Sequence, residues 1–275
     1  MSVFPTKILL ATDGSEAARQ ATEAATDLAG KSGSELHVVH VWHDVPGFAH
    51  GFVKRELRRQ GQETLDEQVE QIEESGGTVT QAHLRGGRTS EEIVGLSGEL
   101  GVGLLIVGSR GLGAMQRILV GSHSEESVHH ARVPVLVVRR GDGAWPPERV
   151  IIGEDFSDDA RKAGDLAASI GGLYGSRALL VNAGEHRGEG DEERLRGRAG
   201  ELEGILGSPP EASVSDGNPA AVILQAAHAE ARPPLIAVGS RGIAGIRRTR
   251  LGSVSTKIVT AAPGLVLVVP HVEQG

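Results

Sequence analysis

Glycines and hydroxyl residues at a fixed spacing form the stretch of this chain with the clearest chemical potential. The apolar run Leu104–Val107 leads into Gly108-Ser-Arg-Gly111, nine residues follow, and Gly121-Ser122 comes just before a predicted helix start. Glycine lets a backbone N–H group approach a phosphate closely because no Cβ stands in the way. Unpaired N–H groups and the dipole at a helix N-terminus favour an anion, so the spacing predicts a phosphate-binding turn.

The same spacing occurs a second time. After the apolar run Leu235–Val238, Gly239-Ser-Arg-Gly242 is followed by nine residues and by Gly252-Ser253. One occurrence is a weak motif, because a tight turn without a ligand explains it equally well. Two occurrences, each between a predicted strand and a predicted helix, indicate that the chain contains the same functional unit twice.

Asp13 is the candidate that accompanies the first glycine motif. It follows the apolar strand Lys7–Ala11 and precedes a predicted helix. Its carboxylate can accept hydrogen bonds from a ribose hydroxyl, and it can equally cap the helix N-terminus. The two roles are compatible. Ser122 and Ser124 carry the same pair of interpretations, a phosphate contact or simple capping.

The glycine motifs are not those of a P-loop enzyme. The sequence Gly-x4-Gly-Lys-Ser/Thr occurs nowhere in the chain. The phosphate-binding lysine and the hydroxyl that holds Mg²⁺ in P-loop NTPases are therefore missing. No catalytic residue stands out, and the motifs favour binding of a phosphate compound over its turnover.

Short apolar strands that alternate with helices position these motifs. Such alternation is typical of right-handed βαβ units and a parallel sheet. In the first half, Gly30 is expected to end the first helix and Ser90 to cap the third. The strands are predicted at 7–11, 35–42, 78–84, 104–107 and 135–138, and the helices at 16–29, 52–74 and 90–100.

The second half repeats this plan. Asp13 aligns with Asp155, and Gly33-Ser34 aligns with Gly175-Ser176, without a gap. Between the halves, residues 141–148 are rich in glycine and proline and carry no apolar period, as expected of a linker. The sequence therefore predicts two domains of one origin, at 1–140 and 149–275.

The two predicted sites differ in detail. The first has Gly121-Ser-His-Ser124, whereas the second has Gly252-Ser-Val-Ser255. The second has an extra carboxylate, Glu154, which would repel a polyphosphate. It also has three arginines between Arg247 and Arg250, which could compensate phosphate charge or simply be solvated. We expect both sites to bind a phosphate compound, and we leave open whether the two are occupied equally.

Composition excludes several other classes of protein. The formal net charge of −8 argues against a general binder of nucleic acid or of acidic membranes. The absence of cysteine excludes disulfides and thiolate catalysis. The chain shows no signal peptide and no apolar stretch of membrane-spanning length, so a cytoplasmic location is expected. His37 and His40 lie on opposite faces of a strand, and no metal site is expected.

Both glycine motifs, together with Ala11-Thr-Asp-Gly-Ser15 and Pro134–Val138, resemble a tandem member of the universal stress protein family. The signature of the nucleotide-binding branch of that family is Gly-x2-Gly-x9-Gly followed by Ser or Thr. The resemblance implies an α/β fold of two tandem Rossmann-like domains, each with a five-stranded parallel sheet flanked by helices. It also implies ATP across the carboxyl ends of strands one and four, with a role for Mg²⁺ left open.

The resemblance also implies which residues contact the nucleotide. In the first half these are Ala11, Thr12, Asp13, Val41, Gly108, Arg110, Gly111, Gly121, Ser122, His123 and Ser124. In the second half they are Gly153, Asp155, Ala183, Gly239, Arg241, Gly242, Gly252, Ser253, Val254 and Ser255.

An ATP-binding regulator or stress-response factor is the leading hypothesis for function. A slow ATPase, a phosphoryl or nucleotidyl transferase, and a scaffold without ligand are the alternatives. The family pairs domains through their last strands, which implies that Val135–Val138 and Val266–Val269 join the halves as an intramolecular pseudo-dimer. A further homodimer is left open, and neither nucleic acid nor a membrane is expected as a partner.

Overall fold

A computed structural model describes residues 4–43, 51–108, 131–139, 145–184, 188, 190–240 and 251–271. The chain divides into two compact units. The first unit is Pro5–Val133, and the second is Pro134–Gly275 together with Met1–Phe4. The boundaries of the two sequence repeats, at 1–140 and 149–275, stay a prediction.

Strands and helices alternate through the described part of the first unit. The strands lie in the order β3-β2-β1-β4, and every pairing between them is parallel. The elements are β1 (Lys7–Ala11), α1 (Glu16–Ser32), β2 (Glu35–Trp42), α2 (Gly51–Glu74), β3 (Gln81–Gly86), α3 (Thr89–Leu100) and β4 (Leu104–Gly108).

The core of the first unit explains why its central strands are apolar without alternation. Leu9 and Leu10 of β1 are both fully buried, as are Leu104 and Leu105 of β4. A strand with helices on both faces of the sheet has no solvent-facing side, so its consecutive residues are all apolar. The register Ala11↔Val107 aligns the carboxyl ends of β1 and β4.

The second unit has the same alternation and two more strands among the described residues. Its strands lie in the order β5-β10-β9-β6-β7-β8. The elements are β5 (Val135–Val138), β6 (Arg149–Gly153), α4 (Asp158–Tyr174), β7 (Arg177–Gly184), α5 (Asp191–Leu206), β8 (Glu211–Asp216), α6 (Pro219–His228), β9 (Leu235–Gly239), α7 (Ser253–Ala261) and β10 (Leu265–Val269).

The predicted α/β class is confirmed, but the strand count differs from five parallel strands in each domain. Strand β5 groups with the second unit and pairs antiparallel with β10, in the register Val137↔Val266 and Val135↔Val268. Both strands are wholly buried. The backbone N–H and C=O groups of a buried strand need hydrogen-bond partners along both of its edges. The apolar pattern of a strand does not show which neighbouring strand supplies those partners.

Three predicted boundaries were wrong by a few residues. Helix α1 continues through Gly30 to Ser32 and ends at Gly33, whose φ of 71° is the left-handed conformation of a helix C-cap. Helix α3 begins at Thr89, so Ser90 is a buried residue of its first turn rather than its cap. Strand β3 begins at Gln81 instead of residue 78. Local signals place the ends of elements less well than the elements themselves.

Candidate functional site

A cavity opens at the carboxyl ends of β1 and β4 in the first unit. Its volume is about 520 Å³, within the range of sites for nucleotide-sized ligands. Ligands of open parallel sheets bind at this edge, where neighbouring strands lead to opposite faces. Five of the residues predicted from the sequence line the cavity, namely Ala11, Thr12, Asp13, Val41 and Gly108.

Asp13 lies at the start of α1 with one carboxylate oxygen engaged. Its Oδ1 accepts a hydrogen bond from the backbone N–H of Ser15 at 3.0 Å. Ser15 is the N-cap of the helix, and its own side chain accepts from the N–H of Ala18. No described residue donates to Oδ2 of Asp13. One oxygen therefore stabilises the turn, while the exposed second oxygen is free to accept from a ligand.

The turn before Asp13 is held by two side chains outside the predicted site, the buried Gln68 and the half-buried His40. The Thr12 hydroxyl donates to Oε1 of Gln68 on α2 at 3.0 Å. The Thr12 carbonyl oxygen lies 3.0 Å from Nδ1 of His40 on β2. A carbonyl can only accept, so His40 carries its proton on Nδ1 in this contact. These hydrogen bonds position the turn from two different elements, α2 and β2.

Helix α2 forms a wall of the cavity that no motif indicated. Leu57, Gln60, Gly61 and Thr64 line it from the helix, and Trp42 lines it from the end of β2. A Cβ at Gly61 would lie 3.0 Å from the Cβ of Trp42, so the missing side chain lets helix and strand approach closely. The amphipathic pattern of α2 was visible, but nothing in it showed which strand ends the helix would face.

Much of the first glycine motif falls outside the residues that the structure describes. Gly108 is buried at the end of β4. The other predicted contacts of this motif are Arg110, Gly111, Gly121, Ser122, His123 and Ser124, and they lie outside the described ranges. Arg241 and Gly242 of the second motif lie outside them as well.

The described ends of the second glycine motif contact each other. The hydroxyl of Ser255 donates to the carbonyl oxygen of Gly239 at 2.7 Å. The N–H of Gly252 donates to the carbonyl oxygen of Ser240, also at 2.7 Å. Gly252 is the N-cap of α7 and has no side chain to satisfy the first helical N–H groups. These contacts hold the start of α7 against the end of β9. Ser253 and Val254 lie in the first turn of α7.

Around β6 the second unit repeats the turn with different side chains. Gly153 ends the strand, and Asp155 accepts from the N–H of Ser157 at 3.0 Å, as Asp13 does from Ser15. Asn182 donates to the carbonyl oxygen of Glu154 at 2.8 Å and so takes the place of His40. Ala183, the counterpart of Val41, lies in β7 next to Asn182.

Glu154 itself is turned into the protein. Its exposed fraction is 3 %, its Oε1 accepts from the N–H of Phe156 at 2.7 Å, and its Oε2 lies 3.3 Å from Nε of Arg198. Burial raises the pKa of the Glu154 carboxyl, although the N–H of Phe156 and the Arg198 guanidinium oppose that shift. The pair Glu154–Arg198 thus replaces the neutral pair Thr12–Gln68 of the first unit.

Buried His37 of β2 and half-buried His83 of β3 form a pair. Nδ1 of His37 lies 3.2 Å from Nε2 of His83, and the two rings are stacked. Burial lowers the pKa of His83, and the neighbouring His37 and Arg85 lower it further, while Glu99 opposes the shift. Within the described ranges, no three histidine, aspartate or glutamate residues come together as a metal site.

Comparison with known proteins agrees with the fold and the repeat. The model of the universal stress protein family matches residues 5–139 and again residues 147–270. The chain is 30% identical over 146 residues to universal stress protein YxiE of Bacillus subtilis, an alignment that covers 48% of this chain and 98% of that protein. It is 35% identical over 133 residues to a universal stress protein of Thermus aquaticus, which covers 48% of this chain and 97% of the relative.

A solved structure extends the likeness to the full length. The crystal structure of a universal stress protein from Archaeoglobus fulgidus has a TM-score of 0.72 and 25% sequence identity, and the match covers 98% of each chain. Two family matches within one chain, and a relative of the same length, account for the duplicated pattern of glycines and strands. The chain therefore belongs to the universal stress protein family, of which it is a tandem member.

Proposed function

We propose that this protein binds ATP in the cavity of the first unit and acts as a nucleotide-dependent regulator or stress-response factor. The observation that carries the proposal is the juxtaposition of Asp13 and Gly108 in one cavity of about 520 Å³. A ribose and a phosphate chain need an acceptor and a stretch of accessible backbone within the reach of one ligand. The family membership supports the same class of ligand.

The walls of the cavity suit a nucleoside. Val41, Trp42, Leu57 and Ile93 give it an apolar and aromatic lining, and polar side chains line it from the β1 turn, from β2 and from α2. A flat base gains most from apolar burial and stacking, whereas the sugar and phosphates need hydrogen bonds. The cavity offers both kinds of surface, as binding of ATP requires.

Binding without rapid turnover is part of the proposal. The motifs lack the P-loop lysine, and ATP then serves as a signal through occupancy. Within the described part of the chain, no helix is both long and apolar enough to cross a bilayer. A cytoplasmic location, a contribution of Mg²⁺ and association of two chains are further parts of the proposal; light scattering tests the last.

Mass spectrometry of the purified protein tests the ligand, and calorimetry with ATP tests the site. Thr64→Trp fills the cavity from α2 and should weaken ATP binding by about ten-fold or more, the equivalent of about 1.4 kcal/mol. Gln62→Trp, on the exposed side of the same helix, is the matched control and should bind as the wild type does. Equal ATP affinity in both variants would place the nucleotide elsewhere.

A further inference from the structure

The two halves differ in the carboxylates that follow strand β1 in the first and strand β6 in the second. In the second unit, Glu154 and Asp159 are both buried, each with an exposed fraction of 3 %. The sequence alignment that matches Asp13 with Asp155 puts Thr12 and Ala17 at these two positions of the first half. The second unit has therefore gained two buried anionic groups where the first half has none.

Asp159 is in direct contact with the second glycine motif. Its Oδ1 lies 3.0 Å from Nδ1 of His271, and its Oδ2 accepts from the hydroxyl of Ser240 at 3.4 Å. The N–H of His271 donates to the same hydroxyl oxygen at 2.8 Å. Ser240 directly follows Gly239, the first glycine of the motif. The Asp159 carboxylate, at the start of α4, is therefore hydrogen-bonded to the turn that the glycine spacing predicts as a phosphate site.

The backbone of α4 sits against the same turn. A Cβ at Gly239 would lie 2.7 Å from the backbone nitrogen of Ala160 and 2.8 Å from the backbone of Asp159. Glycine at this position therefore has a packing role in the second unit, because any side chain would collide with the helix. The glycine at position 239 is thereby accounted for without a ligand.

The buried cation beside Glu154, Arg198, already pairs with groups of the protein. Arg198 has an exposed side-chain fraction of 4 %, and its Nη2 donates to Asp165 at 2.6 Å and to the carbonyl oxygen of Arg161 at 2.8 Å. Its remaining nitrogens contact Glu154 and Glu201. A guanidinium has five N–H donors, and these contacts within the protein engage four of them. Its charge balances the protein's own carboxylates.

The rim of the second turn is also occupied. The buried residues Leu65 and Ile72 of α2 match Leu195 and Leu202 of α5 at equal spacing, so Arg194 takes the position of Thr64, which lines the first cavity. The Arg194 guanidinium carbon lies 3.9 Å from the centre of the Phe156 ring. Phe156 replaces Gly14 and keeps a positive φ of 64°, a strained conformation for an aromatic residue.

We infer that the two copies have divided their roles, so that the first unit holds ATP while in the second unit Asp159 acts as a built-in anion at the glycine turn. The inference rests on the proposed function. An incoming phosphate must approach a buried carboxylate and compete with it for the Ser240 hydroxyl, and like charges repel strongly where water is excluded. The chain then binds one ATP with high affinity and a second one far more weakly.

Titration calorimetry with ATP and native mass spectrometry of the full-length chain test this inference. The wild type should take up one ATP per chain. Asp159→Asn keeps the shape of the side chain, removes its charge and should strengthen the second binding event by about ten-fold or more. Asp158→Asn changes the exposed neighbouring carboxylate and serves as the matched control, with no expected change.

A reciprocal exchange tests the same charge in the first half. Ala17→Asp places a carboxylate at the aligned position and should weaken the first binding event by about ten-fold or more. Thermal melting shows whether Asp159→Asn folds. If it does not fold, the Ala17→Asp variant and the wild-type stoichiometry still test the inference. Two equal ATP sites in the wild type, or an Ala17→Asp variant that folds and binds normally, would overturn the inference. Absence of any ATP binding would instead refute the proposed function.

Discussion

Asp13 and its neighbours both stabilise a turn and offer hydrogen-bonding atoms to a candidate ligand. Oδ1 of Asp13 accepts the N–H of Ser15, and the Thr12 carbonyl is bonded to His40. The turn is thus fixed before any nucleotide arrives, and Oδ2 is left exposed. A site whose groups are already held in place loses less entropy when its ligand binds.

The two roles of Asp13 can be separated by one substitution. Asp13→Asn keeps an oxygen for the N–H of Ser15 but loses the charge and replaces one acceptor by a donor. We expect unchanged stability to urea and ATP binding weakened by about ten-fold, since a hydrogen bond to a charged group contributes about 1.5–3 kcal/mol. The same change at Asp155, its counterpart in the second unit, should leave ATP affinity unchanged. An Asp13→Asn variant that binds normally would leave the residue only its hydrogen bond within the turn.

His40 and Asn182 offer a test of positioning, because His40 donates to the carbonyl of Thr12, just after β1, and Asn182 donates to the carbonyl of Glu154, just after β6. His40→Leu removes the donor and leaves the Thr12 carbonyl without it, which should cost about 1–3 kcal/mol of stability and weaken ATP binding. His40→Asn reproduces the side chain of the second unit and should restore both properties in large part. If Asn behaves like Leu in calorimetry and urea denaturation, the hydrogen bond is not what matters at this position.

Helix ends and strand pairs carry the next level of organisation. Helix α1 runs from its Ser15 cap to Gly33, and α4 repeats this from Ser157 to Gly175, with left-handed glycines at both C-caps. The same capping chemistry at both ends keeps the two helices at 17 residues each. The turns at Asp13 and Asp155 are thus each followed by a helix of the same length and capping.

Gly30 and Gly33 form a matched pair for the C-terminal end of α1. Gly30 is exposed inside the helix with nothing near its Cβ position, so Gly30→Ala should stabilise the protein by about 0.5–1 kcal/mol. Gly33 has a φ of 71°, so Gly33→Ala should destabilise it by about 1–2 kcal/mol. Thermal and urea unfolding measure both changes. Opposite signs are expected from the same chemical substitution, and equal signs would contradict the observed helix end.

The pair of strands β2 and β3 should make stability depend on pH. The lowered pKa of His83 means that the unfolded chain takes up its proton first as the pH falls. The unfolded state gains from that uptake, so stability should decrease as the pH drops below about 6.5, the ordinary histidine value. His83→Gln should show a shallower decrease in urea midpoint between about pH 7 and pH 5 and a parallel curve above about pH 7. Identical slopes for both proteins would contradict this source of pH dependence.

The whole chain combines two copies of one plan with different contents. Both units lead a strand into a capped helix through a turn that carries an aspartate, at Asp13 and Asp155. The first unit leaves a cavity beside this turn, whereas the second fastens Asp159 to Ser240 and His271. The proposed division of roles rests on this difference between the two copies.

The antiparallel pairing of β5 with β10 links segments far apart in the sequence and can be tested by a double-mutant cycle. Val137 and Val266 lie directly opposite each other, so Val137→Ala and Val266→Ala should show a coupling of about 0.2–1 kcal/mol in urea denaturation. Leu265 points to the other face of β10, and the cycle of Val137→Ala with Leu265→Ala is the control, with additive effects expected. Coupling in the control instead would indicate a different register.

Consecutive residues carry enough information for much of this molecule. The apolar runs of β1 and β4 and the repeated glycine spacing are local patterns, and each was readable because its physical cause acts over a few neighbouring residues. The same holds for five of the cavity residues, since strand ends that share an edge of a parallel sheet must lie close together.

Contacts between distant segments had no such local signature. The wall that α2 gives to the cavity, the partner of β5, and the bond from Asp159 to His271, which are 112 positions apart, depend on how finished elements pack. Many strands have the apolar pattern of β5, and Asp159 reads as an ordinary residue in the first turn of a helix. Packing selects one partner among several that are compatible with the local pattern, and this selection is why the two glycine motifs, alike in spacing, came to have different surroundings.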